Sequence, residues 1–213
     1  ANGTFGGNGV KSVIGHPMGA QVGYVCDGIF KSQEEIDNHA TQEGAGLGRM
    51  RWKDLDHDGK ITELDQTWIY DPVPDFTYGF NIYLEYKNFD FTLFGTGAAG
   101  NDIYSCVYRT EHVRINSLKY FFENRWTPEN TGASMPSISN IATNVKFWSS
   151  TANVFDGSYF KIKQIQLGYT LPQSLLSKVH ISSLRVFASL DDFFTFTKYP
   201  GFDPEMASTG AAN

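Results

Sequence analysis

No run of eighteen apolar residues occurs in this 213-residue chain, so no helix in it has the length and character to cross a bilayer. That excludes a helical inner-membrane protein. It does not exclude a β-barrel, whose strands alternate and look only mildly hydrophobic. Charge is also sparse: Asp, Glu, Lys and Arg make up 19% of residues, with a net charge of -6. An acidic surface repels phosphate backbones, which argues against nucleic acid as a partner. Cysteine is limited to Cys26 and Cys106. Their spacing fits no metal motif. They are either two unrelated thiols or, if the fold brings their Cα atoms close, a disulfide. The chain opens Ala1-Asn2-Gly3, with neither an initiator Met nor a signal peptide, as expected of a piece of something longer.

Aromatics and glycine are abundant, with 17 Phe, 11 Tyr, 4 Trp and 21 Gly. A hydrophobic share of 41% argues against a disordered chain. Much Phe, Tyr and Gly with modest Leu favours strands over helices.

Residues 76–87 give the clearest strand. Phe76, Tyr78, Phe80, Ile82, Leu84 and Tyr86 fall on one face, and Thr77, Gly79, Asn81, Glu85 and Lys87 on the other, with Tyr83 the exception. Strict period-two alternation with one apolar face is the strand signature. The apolar face begins and ends with aromatics, as a lipid-facing band between girdles does, although a sandwich strand reads similarly. A second strand runs over 89–97, with Phe94 out of pattern, and Lys87-Asn88 makes the two a hairpin. The third, 158–170, switches its apolar phase from Phe160 and Ile162 to Ile165, Leu167 and Tyr169. Such a switch suggests a bulge or a strand leaving the membrane. The fourth, 183–196, has Leu184, Val186, Ala188 and Leu190 in phase.

Connections alternate between very short and very long, and a 60-residue stretch such as 98–157 is rare in a compact soluble domain. Outer-membrane barrels have short periplasmic turns and long external loops. On that rule Lys87-Asn88 is periplasmic, while residues 1–75 and 98–157 are mostly extracellular loop, and 197–213 is loop. Four strands cannot close a barrel. Open edges in lipid would leave backbone groups unsatisfied, so further strands are expected elsewhere.

The sharpest chemical motif lies at 54–65. Asp54, Asp56 and Asp58 match positions 1, 3 and 5 of an EF-hand-like calcium loop, with Gly59 at 6. Lys60 would offer its carbonyl and Asp65 stands at position 12, where a longer Glu is usual. These residues are the candidate Ca²⁺ ligands. The competing reading is an acidic turn whose Asp side chains cap their own backbone.

Other motifs carry less. Gly95-Thr96-Gly97-Ala98-Ala99-Gly100 matches a dinucleotide fingerprint, but no helical sequence follows it. His16, His39, His57, His112 and His180 are scattered and form no metal spacing. Asp191 and Asp192, as strand neighbours, are expected on opposite faces and make a poor acid–base pair. Phe193, Phe194 and Phe196 read as a girdle or packing before a sugar-stacking platform. No catalytic constellation is present in the sequence.

The order of motifs resembles the C-terminal part of SusC/RagA-type TonB-linked outer-membrane proteins. It is carried by Gly23-Tyr24-Val25, Asp27-Gly28-Ile29-Phe30, Trp52-Lys53 before the acidic loop, and Asp71-Pro72. Next come the run from Pro74 to Asn81, Gly100-Asn101-Asp102-Ile103-Tyr104, and Arg125-Trp126-Thr127-Pro128-Glu129-Asn130. Asp156-Gly157-Ser158-Tyr159-Phe160-Lys161-Ile162-Lys163, Leu167-Gly168-Tyr169-Thr170-Leu171-Pro172 and Gly201-Phe202-Asp203-Pro204-Glu205 complete it. The resemblance implies an all-β fold, an antiparallel transmembrane segment of a barrel of about 22 strands. It implies a Gram-negative outer membrane, a SusD-like surface lipoprotein as lid, and power from TonB through an N-terminal region absent here. The cargo would be an oligosaccharide or peptide. Asp191-Asp192-Phe193 departs from the family's usual Gln-Asn-Leu-like stretch. The alternative is a free-standing, calcium-stabilised β-rich module that binds glycans.

Overall fold

The computed structural model describes residues 15–17, 19–104, 119–137 and 149–207. They form two compact units, one from Pro74–Asn101 and Gly157–Lys198, the other drawn from Ala1–Val73, Asp102–Asp156 and Tyr199–Asn213.

The second of these is built from short pieces. Strand β1 (Gln21–Tyr24) pairs with β4 (Gln66–Tyr70), and β2 (Cys26–Ile29) with β3 (Met50–Trp52). A helix at Gln33–Asp37 starts on Ser32, whose hydroxyl accepts the Glu35 N–H. Its core gathers Tyr24, Ile29, Met50, Trp52, Ile61, Phe121 and Met135, with Cys26, Trp126 and Phe155 packed around them. The Trp52 side chain is fully enclosed. The Cys26 sulfur lies 3.5 Å from both the Gly28 carbonyl and the Met50 sulfur, and burial pushes its thiol pKa up. Cys106 and His112 lie outside the described residues, so the pairing of the two cysteines does too.

The other unit is one antiparallel sheet. Its strands are β5 (Phe76–Tyr86) and β6 (Phe89–Ala99), then β9 (Tyr159–Thr170) and β10 (Arg185–Thr197). Between them in sequence, β7 (Asp102–Tyr104) pairs with β8 (Val154–Asp156) outside this sheet. The order in the sheet is β10-β9-β6-β5, an up-and-down meander. All four expected strands form, close to the bounds that period-two alternation sets. The β5–β6 hairpin closes on Lys87-Asn88, with Lys87 at φ 55. The ends of the strands near residues 76, 99, 159 and 197 share one edge of the sheet, while the short turn and the 171–184 connection share the opposite edge.

The phase switch in β9 is a bulge. Phe94 of β6 faces Gln164 and Gly95 faces Ile162, so Lys163 is left out of the ladder. One extra residue flips side-chain parity, and the apolar positions move from even to odd numbers without changing face.

Gly95 and Gly97 lie inside β6 and serve packing. A Cβ on Gly95 would sit 2.6 Å from the Phe80 ring, and one on Gly97 would strike the Tyr78 ring. Two aromatic rings from β5 therefore lie flat over the bare backbone of β6.

Candidate functional site

The registers assign every paired side chain of the sheet to one of two faces. Across β5 and β6 the apolar pairs are Tyr78 with Gly97, Phe80 with Gly95, Ile82 with Leu93, Leu84 with Phe91 and Tyr86 with Phe89. Continuing through β9 to β10, Tyr169 meets Val186, Leu167 meets Ala188, Ile165 meets Leu190, Ile162 meets Phe194 and Phe160 meets Phe196. No ionisable residue occupies this face apart from the Tyr phenols. The opposite face carries Thr77, Asn81, Glu85, Asp90, Thr92, Lys161, Gln164, Gln166, Arg185, Ser189 and Asp191, with Tyr83, Phe94 and Phe187 as its large aromatic members.

The apolar face is uncovered. Phe76 is 62% exposed, Leu84 59%, Tyr86 70% and Val186 59%. A water-soluble sheet buries its apolar face on a second layer, and an exposed patch of this extent needs an apolar solvent or partner. Most of its aromatics sit towards its two ends, with Phe91 one row in. Tyr78, Phe80 and Phe196 all stack on Phe160, with centroids 5.8 to 6.1 Å apart. Phe89 and Tyr169 meet at the turn end, 4.6 Å apart. Between them lies the aliphatic row of Ile82, Leu93, Ile165 and Leu190. Ten residue steps of β5 span about 34 Å, or about 26 Å along a membrane normal at a 40° tilt, which matches the apolar band of a barrel.

The polar face holds two ionic groups that period-two reading does not reveal. Arg185 of β10 reaches across β9 to Asp90 of β6, donating Nε–H to one carboxylate oxygen at 2.9 Å and a second N–H to the other. The intervening residue is Gly168, where any Cβ would strike both partners. A glycine within the aliphatic and aromatic run of β9 was the sequence signal for this crossing. The second group joins Asp192 to Lys161 at 3.4 Å and to Lys163 at 3.2 Å. Asp192 sits at φ 51 in a bulge, so the simple alternation expected of Asp191 and Asp192 is not kept. Asp191 accepts a hydrogen bond from Ser189. Phe194 and Phe196 take girdle positions on the apolar face, and Phe193 falls outside the ladder.

The acidic loop belongs to the other unit. Carboxylate oxygens of Asp54, Asp56 and Asp58 all lie within 4.8 Å of one another. Gly59 adopts φ 81, and His57 φ 61. Within the loop Asp54 accepts the His57 and Gly59 N–H groups, and Asp58 accepts that of Lys60. Thr41 N–H bonds the Gly59 carbonyl and Ile61 N–H bonds the Thr41 carbonyl, which fastens the loop to the core through Ile61. Asp65, at the twelfth position, is fully enclosed and outside the three-carboxylate cluster. Its two oxygens accept the Leu55 and Thr62 N–H groups, each at 2.7 Å. Burial works to raise its pKa, but the N–H groups of Thr62, Leu55 and Asp56 outweigh it and hold the carboxyl below its usual value.

One face for lipid and one for a polar interior define the wall of a transmembrane β-barrel. No protein-family model matches the chain. It is 34% identical over 192 residues, 90% of its length, to "TonB-dependent receptor P3" of Formosa agariphila, of which it spans 19%. It is 25% identical over 195 residues to "TonB-dependent receptor SusC" of Bacteroides thetaiotaomicron, spanning 18% of that protein. Among solved structures, a RagAB peptide transporter matches with a TM-score of 0.64 at 24% identity, over 89% of this chain and 20% of that one. The chain belongs to the SusC/RagA family of TonB-dependent receptors of the Gram-negative outer membrane, and spans about a fifth of the relatives it matches.

Proposed function

We propose that the receptor containing this chain imports a nutrient across the outer membrane, with these strands as C-terminal barrel wall and residues 1–75 and 98–157 outside the cell. The observation that carries this is the sheet's division into one apolar and one polar face. A free-standing glycan-binding module would leave the apolar face in water, so that alternative is the weaker one. The relatives are named receptors and importers, which supports a non-enzymatic role. The solved neighbour is named a peptide importer, and that name belongs to that protein. For this chain both oligosaccharide and peptide remain the proposed cargo classes. A SusD-like surface lipoprotein is the proposed lid and TonB the proposed energy source, reached through a region outside this chain.

Deleting the receptor gene and measuring uptake of labelled oligosaccharides and peptides tests this. Loss of one class, with the same loss in wild type after collapse of the proton-motive force, is the expected result. Unchanged uptake of both classes would overturn it. Purification from membranes in mild detergent should recover a lipoprotein in equal amount; a receptor that purifies alone removes the lid from the proposal.

The acidic loop is the proposed Ca²⁺ site, with carboxylates of Asp54, Asp56 and Asp58, the Lys60 carbonyl and Asp65 as ligands. Hard oxygen donors in this spacing suit Ca²⁺. Three carboxylates this close repel each other by about 1 kcal/mol per pair even in water, which a divalent cation would reverse. Asp65 fits less simply, since each of its oxygens already accepts an N–H; a carboxylate keeps further lone pairs for a cation. Adding Ca²⁺ to EDTA-treated receptor should raise its melting temperature, by about 2.7 kcal/mol of stabilisation at a hundredfold excess over Kd. Asp56→Ala with Asp58→Ala should abolish the rise. A wild-type melting curve indifferent to Ca²⁺ would remove the site.

A further inference from the structure

The two neighbours of β9 answer its bulge differently. On one side β6 adds no extra residue: Phe94 faces Gln164, and the next residue, Gly95, faces Ile162. On the other side β10 adds two: Asp191 faces Gln164, but the residue facing Ile162 is Phe194. Asp192 and Phe193 are both left out of the ladder.

Parity limits the choices. Because β9 ejects one residue, apolar side chains of β10 can remain on the apolar face only if β10 ejects none or two. Keeping both strands unbulged would set Phe194 against Lys161 and Phe196 against Tyr159, polar face against apolar. Ejecting none keeps the faces matched. It would set Asp192 against Ile162, Phe194 against Phe160, and Thr195 against Tyr159. That is the solution β6 uses, with Gly95 in the equivalent place.

The two matched registers differ chiefly in the fate of Asp192. In the in-line register its carboxylate stands on the lipid face, inside the apolar band between Leu190 and Phe194. In the observed register it turns to the polar face and lies within 3.4 Å of the ammonium groups of Lys161 and Lys163. Lys161 is almost entirely buried there. The observed register also places Asp192 in the left-handed region at φ 51, where Asp is one of the few residues besides glycine that the backbone accommodates. The ion pairs to Lys161 and Lys163 favour this register over the one that turns the carboxylate to lipid. We infer that Asp192, held by Lys161 and Lys163, is a positioning residue that selects the register of the upper half of β10. It ejects two residues from the strand and so fixes the level at which residues 194–197 meet β9. The slip it prevents is two residues, about 7 Å along the strand.

Cross-linking in the whole receptor, in outer membranes, reads the register directly. Thr197 faces Tyr159 in the observed register, whereas Thr195 would face Tyr159 in the in-line one. Directly opposed cysteines approach closely enough to bond, and a two-residue offset does not. Thr197→Cys with Tyr159→Cys should therefore cross-link in the otherwise native receptor, and Thr195→Cys with Tyr159→Cys should not. The receptor with neither pair added supplies the background from Cys26 and Cys106. Asp192→Leu removes both the ionic contacts and the penalty for facing lipid. The ratio of observed to in-line cross-link should fall by about tenfold or more, the factor that 1.4 kcal/mol gives. Asp192→Asn keeps the shape and drops the charge, and should move the ratio in the same direction if the Leu variant is not recovered. Deleting residues 192–193 should leave the Thr197→Cys and Tyr159→Cys cross-link intact, since Phe194 then follows Asp191 into the place opposite Ile162. An unchanged ratio in the Asn variant, or in the Leu variant where it assembles, would overturn the inference.

Discussion

At the residue scale, Asp65 shows how one carboxylate can organise a loop. It is fully enclosed, and each of its two oxygens accepts a backbone N–H group. Thr62 and Asp65 close a reciprocal cap, the Thr62 side chain taking the Leu64 N–H while Asp65 takes that of Thr62. Asp65→Asn turns one acceptor into a donor facing an N–H. The cost should be about 1–3 kcal/mol, the price of a buried polar group without its partner. Urea denaturation followed by tryptophan fluorescence would measure it, since Trp52 lies in the same core. The pH dependence has a fixed sign. The folded carboxyl lies below its usual value, so its contribution is complete above the unfolded pKa of about 3.9 and is lost as pH falls through the lower folded value. The Asn variant should lack that part of the acid dependence. A wild type and variant with parallel acid profiles would exclude Asp65 as its source.

At the scale of elements, the sheet was largely legible and the other unit was not. Strands β5, β6, β9 and β10 are long enough for period-two alternation to stand out, and the switch from Ile162 to Ile165 disclosed the bulge in β9. The bulge in β10 left no such trace, because ejecting an even number of residues preserves parity: Leu190 and Phe194 are both even-numbered and both apolar. The strands β1 to β4 have three to five residues each and pair through registers no pattern sets. The acidic loop was legible as a motif, but the commitment of Asp65 to Leu55 and Thr62 was not. Gly168 offers a test of how elements lock together. Asp90 and Arg185 meet above it, so Gly168→Val should force them apart and weaken the three-strand crossing. Gly79 on the same face provides the control, since a Cβ there meets its nearest atom at an ordinary 3.4 Å. Gly79→Ala should leave the heat-induced mobility shift of the folded receptor on gels unchanged, while Gly168→Val lowers the temperature at which it is lost. Equal behaviour of the two variants would show that the crossing contributes little.

At the scale of the whole receptor, the decisive property is which side of the sheet meets lipid. Ile82 and Thr92 make the contrast sharp because they lie at nearly the same depth on opposite faces: Ile82 pairs with Leu93, and Thr92 with Tyr83 one row away. The backbone environment is similar, both strands are long, and neither residue belongs to an ionic group. A soluble sheet with some other partner on its apolar face would be disturbed by a new charge at either place to a degree set by that partner. A barrel wall makes a stronger demand. Ile82→Arg would hold a guanidinium near the middle of the hydrocarbon, at a cost of about 2–4 kcal/mol, whereas a charge on the polar side is largely tolerated. Thr92→Arg would also find Glu85 on its own face. Folding yields of the whole receptor into lipid vesicles should therefore drop for Ile82→Arg and hold for Thr92→Arg. The difference should shrink as the same substitution moves from residue 82 towards Tyr86, where the band ends. Equal losses on the two faces, or a loss independent of depth, would mean that this apolar surface is covered by protein rather than by lipid.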